Sequence, residues 1–183
     1  MKNKRPDIAK SAMPQYKSMD KNYEIIRKNF DKIVVNVGVG KMRSQGGFDE
    51  KVLPLIMKEL SEITGQKPSP RPAKKSIAGF KTREGEVLGL KVSLREKRMA
   101  DFFLRIINFV LPRVKDFRGL ELSNVDQNGN LNIGIREQFV FPEISAEKSK
   151  VNFGIQITVV PNNKDRDKAI DLYRSIGVPL KKL

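Results

Sequence analysis

The chain has 183 residues, a length that suits one domain with a hydrophobic core. It holds 36 lysines and arginines against 21 acidic residues, a net charge of +15 at pH 7. Cysteine and histidine are absent, which excludes disulfides, thiolate metal sites and the commonest general base. An excess of cations repels itself in a compact fold, so this one favours a polyanionic partner.

Apolar periodicity and turn residues predict helices and strands in alternation along the chain. The predicted elements are, in chain order, a basic N-terminal helix or arm at 1–32, a strand at 32–40, a helix at 49–64, an extended basic loop at 67–85, a strand at 87–95, a helix at 98–111, strands at 130–136 and 150–160, and a helix at 165–176. The expected breakers are Pro54 near the start of its helix, Gly65 and Gly177 as caps, Pro112 as a stop and Asn128-Gly129 as a tight turn. We therefore expect one α+β domain spanning 1–183, with helices on one face of a largely antiparallel, mixed sheet and a polar, open opposite face.

The predicted open face has a uniform chemistry. Alternation along the strands sends apolar residues, including Leu88 and its i+2 neighbours, to the core. The opposite rows are Val34, Asn36, Gly38 and Gly40; Val87, Gly89, Lys91, Ser93 and Arg95; Asn130, Asn132, Gly134 and Arg136; and Asn152, Gly154, Gln156 and Thr158. These rows contain no carboxylate and no stacking aromatic ring. They therefore favour docking against a folded RNA by shape and hydrogen bonding over reading a single strand.

The basic loop is the most concentrated cationic segment. Between Lys67 and Arg83 it carries six cations and no acid. Its prolines at 68, 70 and 72 disfavour helix and hold the backbone extended. An extended, acid-free, cationic loop is typical of a surface that contacts a phosphate backbone.

Other motifs favour structural interpretations. Arg43 stands where G-x-G-x-x-G would need its third glycine, so no dinucleotide site is predicted. The carboxylate pairs Asp165/Asp167 and Glu84/Glu86 have no third convergent ligand and are interpreted as helix-start and surface charges. Phe117, among basic neighbours, is compatible either with clamping RNA or with anchoring a loop to the core. We expect no catalytic residue, no metal and no cofactor.

No apolar run reaches membrane-spanning length, and the polar N-terminus lacks the apolar segment of a secretory signal. We therefore expect a cytoplasmic protein with no membrane partner.

Several long strings together resemble one family. They are NVGVG at 36–40, ITGQKP at 63–68, AKKSIAGFKTREG at 73–85, KVSLR at 91–95, LPRVKDFRGL at 111–120, GNLNIGIREQFVFPEI at 129–144 and ITVV at 157–160. In this order they resemble bacterial large-subunit ribosomal protein five, from about residue 15 to the C-terminus. The chain departs from the family in its proline-rich SPRPAKK and at Glu96, where a glycine commonly follows the arginine.

The resemblance implies a non-enzymatic protein of the central protuberance that binds 5S rRNA and helps attach it to the large-subunit, 23S-type rRNA. Its basic loop would contact P-site tRNA, and its neighbours would be ribosomal proteins of the central protuberance and the small-subunit head. Carried over by position, polar contacts to 5S rRNA fall on Asn36, Gln66 and Ser93. With the open face, the candidate 5S rRNA-binding residues are Asn36, Gly38, Gln66, Lys91, Ser93, Arg95, Asn132 and Arg136. The candidate tRNA-contacting residues are Arg71, Lys74, Lys75, Ser76, Phe80, Lys81 and Arg83.

Two other functions remain open. A free-standing RNA chaperone or translation regulator of the same fold would bind many RNAs without preferring 5S rRNA. A nucleotide-dependent RNA-modifying enzyme would need a motif that the chain lacks.

Overall fold

A five-stranded sheet forms the centre of the fold. The structure, a computed structural model, describes residues 14–44, 47–147, 149 and 151–181. The strands are β1 (Phe30–Gly38), β2 (Ser69–Pro72), β3 (Val87–Leu94), β4 (Leu131–Ile135) and β5 (Ile155–Pro161). Their order is β2-β3-β1-β5-β4, and each of these four pairings is antiparallel. The predicted α+β fold is confirmed, although these five strands form an antiparallel sheet rather than a mixed one.

Four α-helices pack against one face of this sheet. They are α1 (Pro14–Asn29), α2 (Leu53–Thr64), α3 (Glu96–Arg105) and α4 (Arg166–Ile176). Between helices and sheet lies an aromatic cluster, in which the Phe30 ring is 5.6 Å from both Phe103 and Tyr173. Burial of these rings away from water is a main source of the stability of the fold. None of the described helices combines the length and the apolar character needed to cross a membrane.

The predicted caps of α2 and α4 are confirmed. Gly65 and Gly177 end their helices with positive φ values of 67° and 96°, a conformation that glycine adopts without steric cost. The Asp165 carboxylate, predicted as a helix-start charge, accepts hydrogen bonds from the backbone N–H groups of residues 167 and 168 and so caps α4.

Several predicted boundaries were wrong. The boundary between the predicted arm at 1–32 and the predicted strand at 32–40 lies at residue 30, where β1 begins. Residues 1–13 of the arm lie outside the described residues. The predicted helix at 49–64 is a π-helical turn, Phe48–Val52, followed by α2 with Pro54 as its second residue. The helix predicted at 98–111 begins at Glu96 and passes through a π-helical turn, so Pro112 lies in the last 3₁₀ turn instead of ending the helix.

The strand predicted at 150–160 begins only at Ile155, for a reason that alternation does not reveal. The fully buried Gln138 amide accepts a hydrogen bond from the Phe153 N–H at 3.0 Å and donates one to the Val151 carbonyl at 2.6 Å. A side chain thus makes the hydrogen bonds that a neighbouring strand would make. Residues 151–154 are therefore not a strand, and Lys150 lies outside the described residues.

Candidate RNA-binding surfaces

Strand register aligns the predicted polar rows across the sheet. Antiparallel partners lie on the same side of a sheet, so each row can be followed from strand to strand. One row is Ser69, Lys91, Asn36, Gln156 and Gly134; the next is Ser93, Val34, Thr158 and Asn132; a third is Arg71, Gly89 and Gly38. These twelve residues, here called the polar face, lie opposite the helices and include no carboxylate.

Most polar groups on this face have hydrogen-bonding capacity to spare. Thr158 donates to the side-chain oxygen of Asn132 at 2.8 Å, a bond between neighbouring strands. Within the described ranges, the side chains of Asn36, Lys91 and Ser93 have no hydrogen-bond or ion-pair partner. A flat array of unpaired amides, hydroxyls and a cation can accept and donate to phosphates and 2′-hydroxyls.

Glycines on the polar face leave space above the strands because they have no side chain. A Cβ placed at Gly38 or Gly134 would meet no atom within 4 Å, so nothing inside the protein requires glycine there. At Gly89, by contrast, a Cβ would lie 3.1 Å from the Val37 carbonyl oxygen, so close packing of β1 against β3 explains that glycine. Gly38 and Gly134 therefore leave open space for whatever docks on the face.

Gln66 reaches the polar face from the end of α2. Its Nε2 donates to the Ser93 carbonyl oxygen at 3.3 Å, and its Oε1 accepts from Arg98 at 3.4 Å. In the register, Val34 lies opposite Ser93 and two residues before Asn36. The structure therefore brings Asn36, Gln66 and Ser93, which are distant in sequence, to one end of one surface.

The two candidate arginines are not brought together. Arg95 follows β3 at the Ser93 end of the face, whereas Arg136 follows β4 beyond Gly134, at the opposite end. The Arg95 guanidinium is paired with the Asp31 carboxylate. Lys32 first, and Arg95 after it, lower the pKa of Asp31 below its ordinary value. Arg95 is therefore a partly neutralised cation, and Arg136 is an exposed one.

The basic loop, residues 67–85, is more ordered than the predicted extended segment. Its regular strand is β2, which pairs with β3 as the edge strand of the sheet. Beyond it the chain folds into a hairpin closed by the Ile77–Thr82 bridge, and a 3₁₀ turn, Ala78–Phe80, forms the tip. The Ser76 hydroxyl accepts the Glu84 N–H at 2.9 Å and joins the two arms. The loop is therefore a preformed protrusion.

All seven candidate tRNA-contacting residues are exposed on this protrusion. Lys74 and Lys75 form no ion pair with any described residue. The acid at the base of the loop, Glu86, is paired with Arg43, and the Arg83 N–H that it accepts is the main reason for its lowered pKa. The protrusion therefore keeps a strong positive charge at neutral pH.

Some predictions about individual residues need correction or gain support. Leu88, predicted for the core, is only half-buried. Phe117 is half-buried and packs against the core, which supports its interpretation as a loop anchor. Ser69 and Arg71 were not predicted as part of the face; the alternating prolines around them are the missed signal, because proline in sheets is typical of edge strands.

Known protein families match most of the chain. Residues 29–83 match the model for ribosomal protein L5, and residues 87–180 match the model for the C-terminus of the same ribosomal protein family. The large ribosomal subunit protein uL5 of Halothermothrix orenii is 42% identical over 166 residues, covering 89% of this chain and 90% of that protein. The uL5 protein of Leptospira biflexa is 46% identical over 149 residues, covering 81% and 79%, and that of Malacoplasma penetrans is 41% identical over 178 residues, covering 97% and 91%.

This chain belongs to the ribosomal protein L5 family. It is therefore a structural, non-enzymatic constituent of the ribosome. Both matched segments contribute to the polar face, since β1 and β2 come from the first and β3, β4 and β5 from the second.

Proposed function

We propose that the chain binds 5S rRNA through the polar face and helps attach it to the 23S-type rRNA in the central protuberance of the large subunit. The alignment of carboxylate-free rows across four neighbouring strands supports this most directly. Electrostatic repulsion from an acid on this face would oppose a phosphate backbone, and the twelve positions contain none.

The physical division of labour follows from the side chains. Lys91 and Arg136 neutralise phosphates and release counterions, which supplies affinity but no register. Asn36, Gln66 and Ser93 form directional hydrogen bonds that fix how the RNA sits. The face has no aromatic ring for stacking splayed bases, so it suits the shallow minor groove of a folded RNA.

We further propose that the basic loop contacts P-site tRNA in the cytoplasmic ribosome. Lys74, Lys75 and Lys81 are exposed on a protrusion at the edge of the sheet, next to the outermost strand. This position lets the loop reach a second RNA while the polar face remains occupied. Proteins of the central protuberance and of the small-subunit head would be its protein neighbours.

A competition titration tests this function. Labelled 5S rRNA is bound to the full chain at near-physiological salt and displaced with unlabelled 5S rRNA, tRNA or an unrelated folded RNA of equal length. We expect 5S rRNA to compete far better than the other two. Equal competition by all three would contradict the assignment and favour a general RNA chaperone or translation regulator.

A further inference from the structure

A groove runs between the basic loop and the sheet, on the side away from the polar face. Its volume is ≈ 730 Å³. Its lining residues are Gly40, Lys41, Ala73, Lys74, Lys75, Ile77, Phe80, Thr82 and Leu88. Leu88 alternates with Gly89 along β3, so the groove opens on the opposite side of that strand from the polar face. A ligand there would not compete for the polar face.

The groove combines two chemistries. Ile77, Phe80 and Leu88 give it an apolar wall, and three lysines supply positive charge without a carboxylate among the lining residues. Phe80 is 80% exposed and Ile77 50% exposed, so two large apolar side chains stand in water three residues apart. Single exposed apolar residues are ordinary, but a pair beside a cationic groove indicates a binding surface.

Hydrogen bonds order the backbone of the turn that carries Phe80. The Ile77 carbonyl accepts the Phe80 N–H at 3.2 Å, and the Ala78 carbonyl accepts the Lys81 N–H at 3.0 Å. Lys81 ends this turn with a positive φ of 49°. A turn already ordered by hydrogen bonds loses little backbone freedom when a ligand stacks on the ring that it carries.

We propose that this groove binds one unpaired nucleotide of an RNA, with the base against Phe80 and Ile77 and its phosphate near Lys74 and Lys75. A nucleotide carries a flat apolar ring and an anion together, as the lining requires, and stacking tolerates any base. This inference rests on the proposed function and deepens it, because it assigns the basic loop to an extruded base rather than to a paired backbone. An acidic peptide with an aromatic side chain is the competing occupant.

Three RNA duplexes that differ only at one position test the groove. The first has a single bulged adenosine, the second an abasic residue at the bulge, and the third is fully paired. We expect Phe80→Ala to weaken binding of the first about tenfold and to leave the other two unchanged, because only the first offers a base to stack. Phe109→Ala is the matched control, since Phe109 is also exposed, at 54%, but lies on the π-helical turn after α3.

A fluorescence measurement gives an independent readout. The chain has no tryptophan, so Phe80→Trp places a single reporter in the groove. We expect the bulged RNA to quench its emission and the abasic RNA to leave it unchanged. Equal effects of Phe80→Ala on all three RNAs, or equal quenching by a glutamate-rich, phenylalanine-containing peptide, would overturn the inference.

The two proposals fail in distinguishable ways. If wild-type protein prefers 5S rRNA and binds tRNA but does not distinguish the bulged from the abasic RNA, only the groove inference is wrong. If 5S rRNA has no advantage over unrelated RNA in the competition titration, the proposed function is wrong whatever the groove binds.

Discussion

The polar face and the basic loop are both cationic and poor in acids, yet they are built differently. The central strands of the polar face, β1, β3 and β5, each pair with neighbours on both sides. The basic loop pairs with the sheet through the four residues of the edge strand β2, which has a neighbouring strand on one side. Residues of the loop from 74 to 81 are all exposed, whereas Asn36, Lys91 and Ser93 are half-buried.

The proposed function would then combine two modes of RNA recognition in one small protein. A face fixed by hydrogen bonds on both sides can match a folded RNA in shape, and misplacing one group costs affinity. The basic loop presents lysines and the Phe80 ring. Its contribution to RNA affinity depends on the salt concentration and on the exposure of these side chains. Changes in shape should therefore affect the polar face most, and changes in charge should affect the loop most.

The largest expected effect comes from added bulk on the polar face. Gly38→Leu introduces a side chain where the protein itself has open space, so the fold should remain stable while docked RNA is displaced. We expect 5S rRNA affinity to fall by about 1–3 kcal/mol, through lost fit and unpaired polar groups. Equilibrium binding measures the loss, and thermal unfolding verifies the fold.

Gly79→Leu is the matched control for this change. A Cβ at Gly79 also meets no atom within 4 Å, but Gly79 lies at the tip of the basic loop. It should leave 5S rRNA affinity unchanged. Equal losses from Gly38→Leu and Gly79→Leu would mean that the two surfaces bind the same RNA.

Reversing the charge of two lysines tests the basic loop, as added bulk tests the polar face. Lys74→Glu with Lys75→Glu should weaken tRNA binding roughly tenfold and reduce its salt dependence, because phosphate contacts are lost. Binding of 5S rRNA should be spared. Titrations at several salt concentrations give both quantities. Lys51→Glu with Lys164→Glu changes the net charge equally at exposed sites elsewhere, and a similar loss of tRNA binding there would show that only total charge matters.

The sequence predicted the polar face better than the chain path around it. Alternation in 130–136 assigned Asn132 and Gly134 to the open side, because burial of one side imposes a period of two. Register across strands could not be predicted, since it depends on pairings between residues distant in sequence. Ser69 lies opposite Lys91, and the alternating prolines beside it were the local sign of an edge strand.

Hydrogen bonds between residues distant in sequence account for other differences between the predicted and the observed structure. The Gln138 amide replaces a strand partner for residues 151–153, and no local pattern marks a glutamine for that role. Gln66 was assigned to the surface by resemblance alone, since its contact with Ser93 joins residues 27 apart in sequence. Periodicity reports which side of an element is buried, but not which side chain will bond a distant backbone.

The turn before β4 allows the stability of the sheet region to be compared with that of the basic loop. The Asp126 carboxylate accepts hydrogen bonds from the backbone N–H groups of Asn128 and Asn130 and from the Asn130 side chain, at 2.8–2.9 Å. In Asp126→Asn, these bonds go to a neutral acceptor instead of a charged one, and we expect a loss of about 1 kcal/mol in the free energy of unfolding at pH 7. Ser76→Ala, which removes the comparable bond in the basic loop, should cost less because the loop has few other contacts.

The pH dependence of this loss has a definite sign. Burial alone would raise the pKa of Asp126, but the hydrogen bonds from Asn130 and Asn128 outweigh it and lower the pKa. Stability that depends on the ionised carboxylate is present above the unfolded pKa of about 4 and is lost as the pH falls through the lower folded value. Denaturant unfolding from pH 7 to pH 3 should show the gap between wild type and Asp126→Asn closing in acid. A constant gap would contradict the role of the ionised form.

The smallest expected effect is at the end of β3, where the polar face meets α3. Glu96 has a positive φ of 52°, which costs free energy for any residue with a Cβ, at the position where the family commonly has glycine. Its ion pair with Arg27 is 3.5 Å long and the Glu96 side chain is 76% exposed, so the pair offsets little of that cost. We expect Glu96→Gly to stabilise the fold by about 0.5 kcal/mol, the relief of strain less the greater flexibility of glycine in the unfolded chain.

Glu96→Ala separates the backbone from the charge at this position. It removes the carboxylate, which also favours the first turn of α3, but keeps the strained φ, so it should be slightly less stable than wild type. Urea unfolding of the three proteins ranks them, with glycine first and alanine last. If alanine matched wild type and glycine were the least stable, the local backbone would impose no strain there. The end of the polar face would then be as relaxed as its centre, and the departure from glycine would stabilise the fold by reducing the flexibility of the unfolded chain.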